Sequence, residues 1–523
     1  MKLPAPFLRT TLCAALLLGP SLRSSAQTPV APLDDVAAQA LKFSALIGAL
    51  EEHYVDPIDP DHAIFDGGIR GMLAALDPFC AFLDRDQFEL LQQQARGEAM
   101  GFGSILYVTP GKVMVLQAAQ GSPSARAGLA PGDEIAEING EHVARLSFES
   151  LVDLLKSSRS HPVRLGVIHP GKLVAEDMDL KPAEVALPSV DKAFVWSAGI
   201  AYVHISSFEG KTPQEVAEAL NRLDGSRLRG LLLDLRDNHG GMVDSAVGVA
   251  SLFLKPQTLV LTTRGRATPE KAYHTAELPA HFDLPIVVLV NGNTASAAEV
   301  LAAALQEHDR ALIAGESTFG KGVVQTVMSL SEQTGLALTA GQYFTPSGRS
   351  IQRPIAGTSL TFASLDQAAT PSAKPAAGEN AAPGARTFRT DHGRAVTAGG
   401  GVTPDVPIPG RSLDPWLTFV NQRGYLTSFA EQYLSTHGRI AESFEPPPEM
   451  LTDFKDNLQR NGVRVPEEYW SRDQDYLKLH LKVELTNLVF GLARGDEIET
   501  KGDAQAQEAA ALFPRVPEIL KAR

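Results

Sequence analysis

Residues 285–308 read PIVVLVNGNTASAAEVLAAALQEH. An apolar, mostly β-branched run from Ile286 to Val290 enters a polar turn, and an Ala-rich helical pattern follows from near Thr294. The pattern repeats outward: GIAYVHIS precedes TPQEVAEALNRL, LRGLLLDLR precedes MVDSAVGVASLFL, and RALIAG follows the quoted helix. Across residues 193–356 this alternation predicts α/β units around a largely parallel sheet.

The flanks differ in character. Residues 34–98 carry helical periodicity, as in ALKFSALIGALEEHYV. Residues 101–182 hold short β-rich runs, turn signals such as Pro131–Gly132–Asp133 and Asn139–Gly140, and one helix from about Ser147 to Ser157. The Ala/Pro/Ser/Gly-rich stretch 361–387 predicts a flexible insert over 357–396, after which 397–410 rejoins the core. Residues 411–523 return to charged helical patterns. The chain begins MKLPAPFLRTTLCAALLLGPSLRSSAQT, with Lys2 and Arg9 before a short apolar run and small residues Ser24 and Ala26 before Gln27. This predicts a signal peptide over 1–26, cut after Ala26, and an exported, periplasmic or secreted protein.

At 523 residues the chain is too long for one core. Its net charge of −14, with no basic stripe, argues against nucleic-acid binding. Cleavage would leave Cys80 alone, so no internal disulfide is expected; within DPFCAFL it reads as a buried small apolar residue. No paired-Cys, HxxxH or HExxH spacing suggests a metal, and no cofactor is expected.

Two motifs are decoys. GESTFGKG at 315–322 has the spacing of a phosphate-binding loop, but Gly322 stands where a magnesium-ligating hydroxyl is needed. VVQTVMSL then reads as a strand, not a helix. No nucleotide is expected. Ser189–Val190–Asp191–Lys192 matches S-x-x-K without its S-D-N or K-T-G partners.

The remaining candidates suit acyl transfer. Ser296 is expected in the first helical turn after a strand, exposed at the positive end of the helix dipole. Lys321 follows one helix and one strand later, among residues that carry no acid. A lysine serves as base only when neutral. Near neutrality that asks burial and neighbours to disfavour its charged form by on the order of 4 kcal/mol. Gln325, four residues on, shares a strand face with Lys321 and can orient it. The glycines of Asp237–Asn238–His239–Gly240–Gly241 leave backbone N–H groups uncovered for an oxyanion.

Together HYVDPIDP, GGIRGMLAALDPFCAFLD, LRDNHGG, NTASAAEV, TFGKGVVQT, YFTPSGRSIQ and GGVTPDV resemble the C-terminal processing (tail-specific) serine proteases. The resemblance implies a multidomain α/β protein: a crotonase/Clp-like protease core, a PDZ β-domain and flanking helical regions. It implies Ser296 as nucleophile, with Thr294 replacing an earlier serine, Lys321 as base and Gln325 as its support. It assigns the oxyanion hole to Gly240, Gly241 and the Ala297 amide, and some members would use Glu307. The usual L-R-N-N-P-G-G is altered here at Asp237 and His239, which places a titratable ring beside the oxyanion turn. SPSARAGLAPGDEIAEINGEHV is similar to a PDZ domain over 101–182. This implies that Gly101, Phe102, Gly103, Ser104 and Ile105 take a peptide C-terminus, the N–H groups binding the carboxylate while the peptide adds as a strand. The implied partners are polypeptides with accessible C-termini; the sequence leaves membrane or adaptor association open. The rival reading is a catalytically silent PDZ scaffold or chaperone.

Overall fold

In the computed structural model, residues 33–59, 62–96, 98–197, 199–224, 227–266, 268–330, 334–354 and 387–521 are described. The expected signal peptide and most of the expected insert lie outside them. A six-stranded sheet runs Val190–Ser197, Ile200–Ile205, Gly230–Asp234, Ile286–Val290, Leu312–Gly315, Val406–Pro407. Its first pair is antiparallel and the rest are parallel.

Both faces of this sheet are covered, which explains its uninterrupted apolar strands. Leu231, Leu233, Val288, Val290 and Ile313 face the helices Thr212–Arg222, Val243–Ser251 and Ala297–Glu307. Leu232, Val287, Leu289 and Leu312 face Ala506, Ala509, Leu512 and Val516 of the C-terminal segment. Every residue of Ala297–Glu307 is buried, and its alanines let the helix lie close to its neighbours. A second, antiparallel sheet joins Ala81–Leu83, Gly335–Phe344, Leu259–Arg264 and Lys271–His274, with Val323–Ser329 also on Gly335–Phe344.

The N-terminal region is not purely helical. After helix Leu33–His53, a π-helical segment His62–Ile69 and helix Arg70–Ala74, the residues Ala81–Leu83 join the second sheet, and Glu98–Gly101 pairs with Ala183–Ala186. Pro78 and the apolar FCAFL run that follows it override helical periodicity there. The stretch expected to be a β-domain is an antiparallel sheet, Ser104–Thr109, Lys112–Ala118, Glu134–Ile138, Val163–Ile168 and Glu176–Leu180, closed by helix Phe148–Ser158 with Ser147 as its cap. The C-terminal helices enclose their own core around Trp416, Phe429, Phe454 and Trp470, against which Met114 and Leu116 of that sheet pack. Among the described residues no helix is long and apolar enough to cross a membrane.

Part of the expected insert is ordered. Thr387–Arg389 and Ala395–Thr397 form a hairpin. Its turn donates Asp391 N to Glu307 O and His392 N to Asp309 Oδ2, which fixes it to the end of the buried helix.

Candidate active site

The polar turn after Ile286–Val290 is built by short-range side-chain bonds. Thr294 Oγ1 donates to Leu235 O at 2.8 Å and accepts from Asn291 N at 3.0 Å, so Thr294 ties this turn to the end of the neighbouring strand. Asp237, at φ 58°, accepts from Asn291 Nδ2 and Asn293 Nδ2. Helix Ala297–Glu307 begins one residue after Ser296, so Ser296 caps the helix instead of lying in its first turn. Its backbone stands at φ 56°, ψ −119°, a region costing a non-glycine residue about 1–3 kcal/mol. The Ser296 hydroxyl is buried, not exposed as the sequence suggests, because the Gly240 turn packs on it, and it has no hydrogen-bond partner among the described residues; the buried Tyr343 hydroxyl has none either. The two are neighbours without meeting in bonding geometry. Burial raises the Tyr343 phenol, and the adjacent Ser296 lowers it in part.

What holds this strained serine is Glu299, which sequence reasoning missed. Its Oε2 accepts from Ser296 N at 2.9 Å and from Lys321 N at 2.8 Å. Its Oε1 accepts from Gly320 N at 2.8 Å and from Thr318 Oγ1. One carboxylate oxygen therefore keeps the Ser296 and Lys321 backbones within two hydrogen-bond lengths of each other. The expectation that no acid adjoins Lys321 held only for its sequence neighbours; this acid arrives from the helix, at its main-chain N–H. Burial pushes the Glu299 carboxyl up, opposed by the bonds from Thr318, Lys321, Gly320 and Ser296. A legible signal existed: S-x-x-E at a helix start is the capping-box pattern.

Lys321 is 7% exposed, and its Nζ donates to Gln325 Oε1 at 2.7 Å. Gln325 Nε2 in turn donates to Phe79 O at 2.5 Å, and the Phe79 ring centroid lies 5.0 Å from Lys321 Nζ. The loop before Lys321 is pinned by Gln352, whose Oε1 accepts from Gly322 N and whose Nε2 donates to Gly320 O. No helix follows it; Val323–Ser329 is a strand, as the sequence predicts. Ser189 of the S-x-x-K decoy is spent on Thr212 and Glu215.

The Gly240–Gly241 turn packs directly on the serine. A Cβ on Gly240 would stand 2.8 Å from Ser296 Cβ and 3.0 Å from Ala297 N. The Gly240 N–H is not a free donor, however: it is given to Asn238 Oδ1 at 2.8 Å. Gly240 thus contributes the close approach that a missing side chain allows. The N–H groups of Gly241 and Ala297 have no acceptor among the described residues. His239 is exposed on this turn. Glu307 lies at the far end of the helix, about 16 Å of helical rise from Ser296. It is engaged by Arg349 Nε at 2.5 Å and by Ser347 N, an ion pair remote from the serine.

Elsewhere, strand Ser104–Thr109 has a partner strand on only one edge among the described residues. Its open side borders a cavity of about 630 Å3 shared with helix Phe148–Ser158 and lined by Leu106, Val108, Val152 and Leu155. Gly101, Phe102, Gly103 and Ser104 line it too, but Ile105 does not, since neighbouring strand residues face opposite ways. Gly103 has φ 74°, and a Cβ there would meet Ser122 Cβ at 2.4 Å.

A family model described as Peptidase family S41 matches residues 199–359, and one described as PDZ domain matches residues 114–168. A carboxy-terminal-processing protease of Bartonella bacilliformis is 32% identical over 319 residues, which are 60% of this chain and 73% of that protein. A carboxyl-terminal-processing protease of Synechocystis sp. is 35% identical over 291 residues, 54% of this chain and 68% of that protein. A solved photosystem II D1 C-terminal processing protease is 30% identical, with a TM-score of 0.35, covering 60% of this chain and 90% of that one.

Proposed function

The chain belongs to peptidase family S41 and is a serine-type C-terminal processing peptidase, and on that premise we propose that it is an exported endopeptidase that holds a protein's C-terminal tail in its PDZ groove and cleaves by a Ser296–Lys321 pair. Ser296 Oγ attacks the scissile carbonyl carbon as Lys321 Nζ takes its proton. The N–H groups of Gly241 and Ala297 bind the oxyanion, at the N-terminus of helix Ala297–Glu307. The tetrahedral intermediate collapses, Lys321 returns the proton to the leaving amine nitrogen, and an acyl-enzyme remains on Ser296. Water, deprotonated by Lys321, then releases the acid. In this reading residues 101–182 capture the tail, 193–356 with 397–410 carry the chemistry, and 411–523 support both.

The observation that supports this reading is the shared Glu299 oxygen: it ties the main-chain N–H of a strained, buried serine, whose hydroxyl has no partner among the described residues, to that of a buried lysine. The test is cleavage of an unfolded substrate with an apolar C-terminal tail by Ser296→Ala and Lys321→Ala proteins. Both should be inactive; cleavage by either at a rate near that of the unsubstituted chain overturns the assignment. Blocking the substrate's terminal carboxyl as an amide should weaken capture, and unchanged capture would overturn the role given to the groove.

A further inference from the structure

Phe79 lies in the N-terminal region, outside the stretch matched by the peptidase family model. It nevertheless touches both members of the Lys321–Gln325 pair. A backbone carbonyl can only accept a hydrogen bond. The Gln325 end facing Phe79 O must therefore be its NH2, which leaves Oε1 to face Lys321 Nζ. Without that constraint the amide could turn and present its donors to the amine. With it, one amine N–H is committed to Oε1, and the rotation of the lone pair that must accept a proton is restricted.

The carbonyl is itself held. Asp77 Oδ1 accepts from Phe79 N at 2.8 Å and from Cys80 N at 2.9 Å, which fixes the turn. Ala81–Leu83 then locks it to the second sheet through Gly335–Ala337. The ring packs with Val323 and Phe319, so its face toward Lys321 is not free to swing.

We propose that Phe79 is a positioning residue for the lysine base: its carbonyl sets the Gln325 amide, and its ring covers one face of the Lys321 amine. The proposal rests on the Ser296–Lys321 reading above. Among the described residues, the titratable groups on the elements around the amine are Glu299, Tyr343, Asp77 and Cys80. Glu299 is committed to its four donors, and Asp77 to the turn and the Cys80 thiol. The aromatic face and its exclusion of water are then the parts of this environment that a change at residue 79 alters.

The two effects have opposite signs. A π-face favours the ammonium, and exclusion of water disfavours it. Phe79→Leu keeps apolar bulk and loses the π-face, so the acid limb of kcat/KM against pH should move down by about half a pH unit. Phe79→Ala admits water, so the acid limb should move up, with kcat lowered about tenfold and KM little changed. The measurement is the pH profile of cleavage of an unfolded tail-bearing substrate by the full chain, with thermal melts of each variant. If Phe79→Ala does not fold, the Leu variant decides alone. Variants that lose melting temperature or active fraction while keeping the native acid limb overturn the proposal. Lys321→Ala is run beside them. Activity retained there sinks the Ser–Lys reading itself; activity lost there, with unmoved Phe79 profiles, sinks only the positioning role.

Discussion

Glu299→Gln changes one atom in the buried hub and should cost activity out of proportion to its size. In the native protein two donors meet each carboxylate oxygen: Thr318 Oγ1 and Gly320 N at one, Ser296 N and Lys321 N at the other. Four donors converge on the group, so although burial pushes its carboxyl up, the anion is the form this environment satisfies. An amide has one oxygen. Turned so that its NH2 faces Thr318, it makes that hydroxyl, which already accepts from Val402 N, accept a second bond, and both Gly320 N–H and the rotatable Thr318 O–H lose their acceptor. Turned the other way, it orphans Ser296 N–H and Lys321 N–H together. The first arrangement is cheaper. It still loses two charge-assisted bonds, leaves the buried Gly320 N–H unpaired and weakens the two bonds that remain, on the order of 3–5 kcal/mol altogether. If about 3 kcal/mol of that falls on the geometry of Ser296 and Lys321, kcat/KM drops roughly a hundredfold. The assay is cleavage of an unfolded tail-bearing substrate, paired with the rate of Ser296 labelling by a serine-reactive phosphonate and a thermal melt. A folded Glu299→Gln protein within about threefold of native kcat/KM would refute the reasoning, because it would mean the native group is already neutral.

Other consequences follow from single contacts. Gly240→Ala places a Cβ at φ 101° against Ser296 Cβ and Ala295 O, so labelling of Ser296 should fall at least about tenfold while the fold survives, as read by circular dichroism. Arg349→Met leaves Glu307 buried without its partner and should cost about 3–5 kcal/mol in urea unfolding of the core, whereas Arg349→Met with Glu307→Leu should recover much of that loss. Burial raises the Glu209 carboxyl to about 7, with Ser207 opposing and Glu215 adding to the shift. An acid raised on folding stabilises the fold below its unfolded value of about 4.5 and loses that contribution as pH rises through about 7, so Glu209→Gln should flatten the pH dependence of urea midpoints in this window, by on the order of 1 kcal/mol after solvent screening.

Much of the site was readable along the chain because its parts are local. Ser296 sits where an apolar strand meets an Ala-rich helix, and both halves of that signal lie within a few residues of it. Lys321 and Gln325 share one short stretch and do bond, although not through regular strand spacing: Lys321 precedes strand Val323–Ser329, and the strand's register shifts between Val324 and Gln325. The errors are also local in origin. Helical propensity set the helix start too early, because the Glu299 bond that pulls Ser296 into a left-handed backbone belongs to a turn geometry that propensity does not encode. Gly240 was taken as a donor because glycine exposes its N–H; Asn238, two residues earlier, folds back to occupy it. Cys80 was expected to be a buried small apolar residue, yet it is half-buried and polar in its contacts, with its thiol between Asp77 and Thr339 N.

The sequence by itself determined the largely parallel sheet and the β-rich domain with its one helix, and it singled out the candidate serine and lysine, since hydrophobic period and turn chemistry are written in neighbouring residues. Only the tertiary structure decided what stands around them. The Phe79 carbonyl reaches Gln325 across 246 positions, and Arg236, just before the glycine turn, reaches Asp503 and Gln505 of the C-terminal segment. Such contacts depend on how sheets and helices pack, and no local period records which distant residue will fill the space beside a buried polar group.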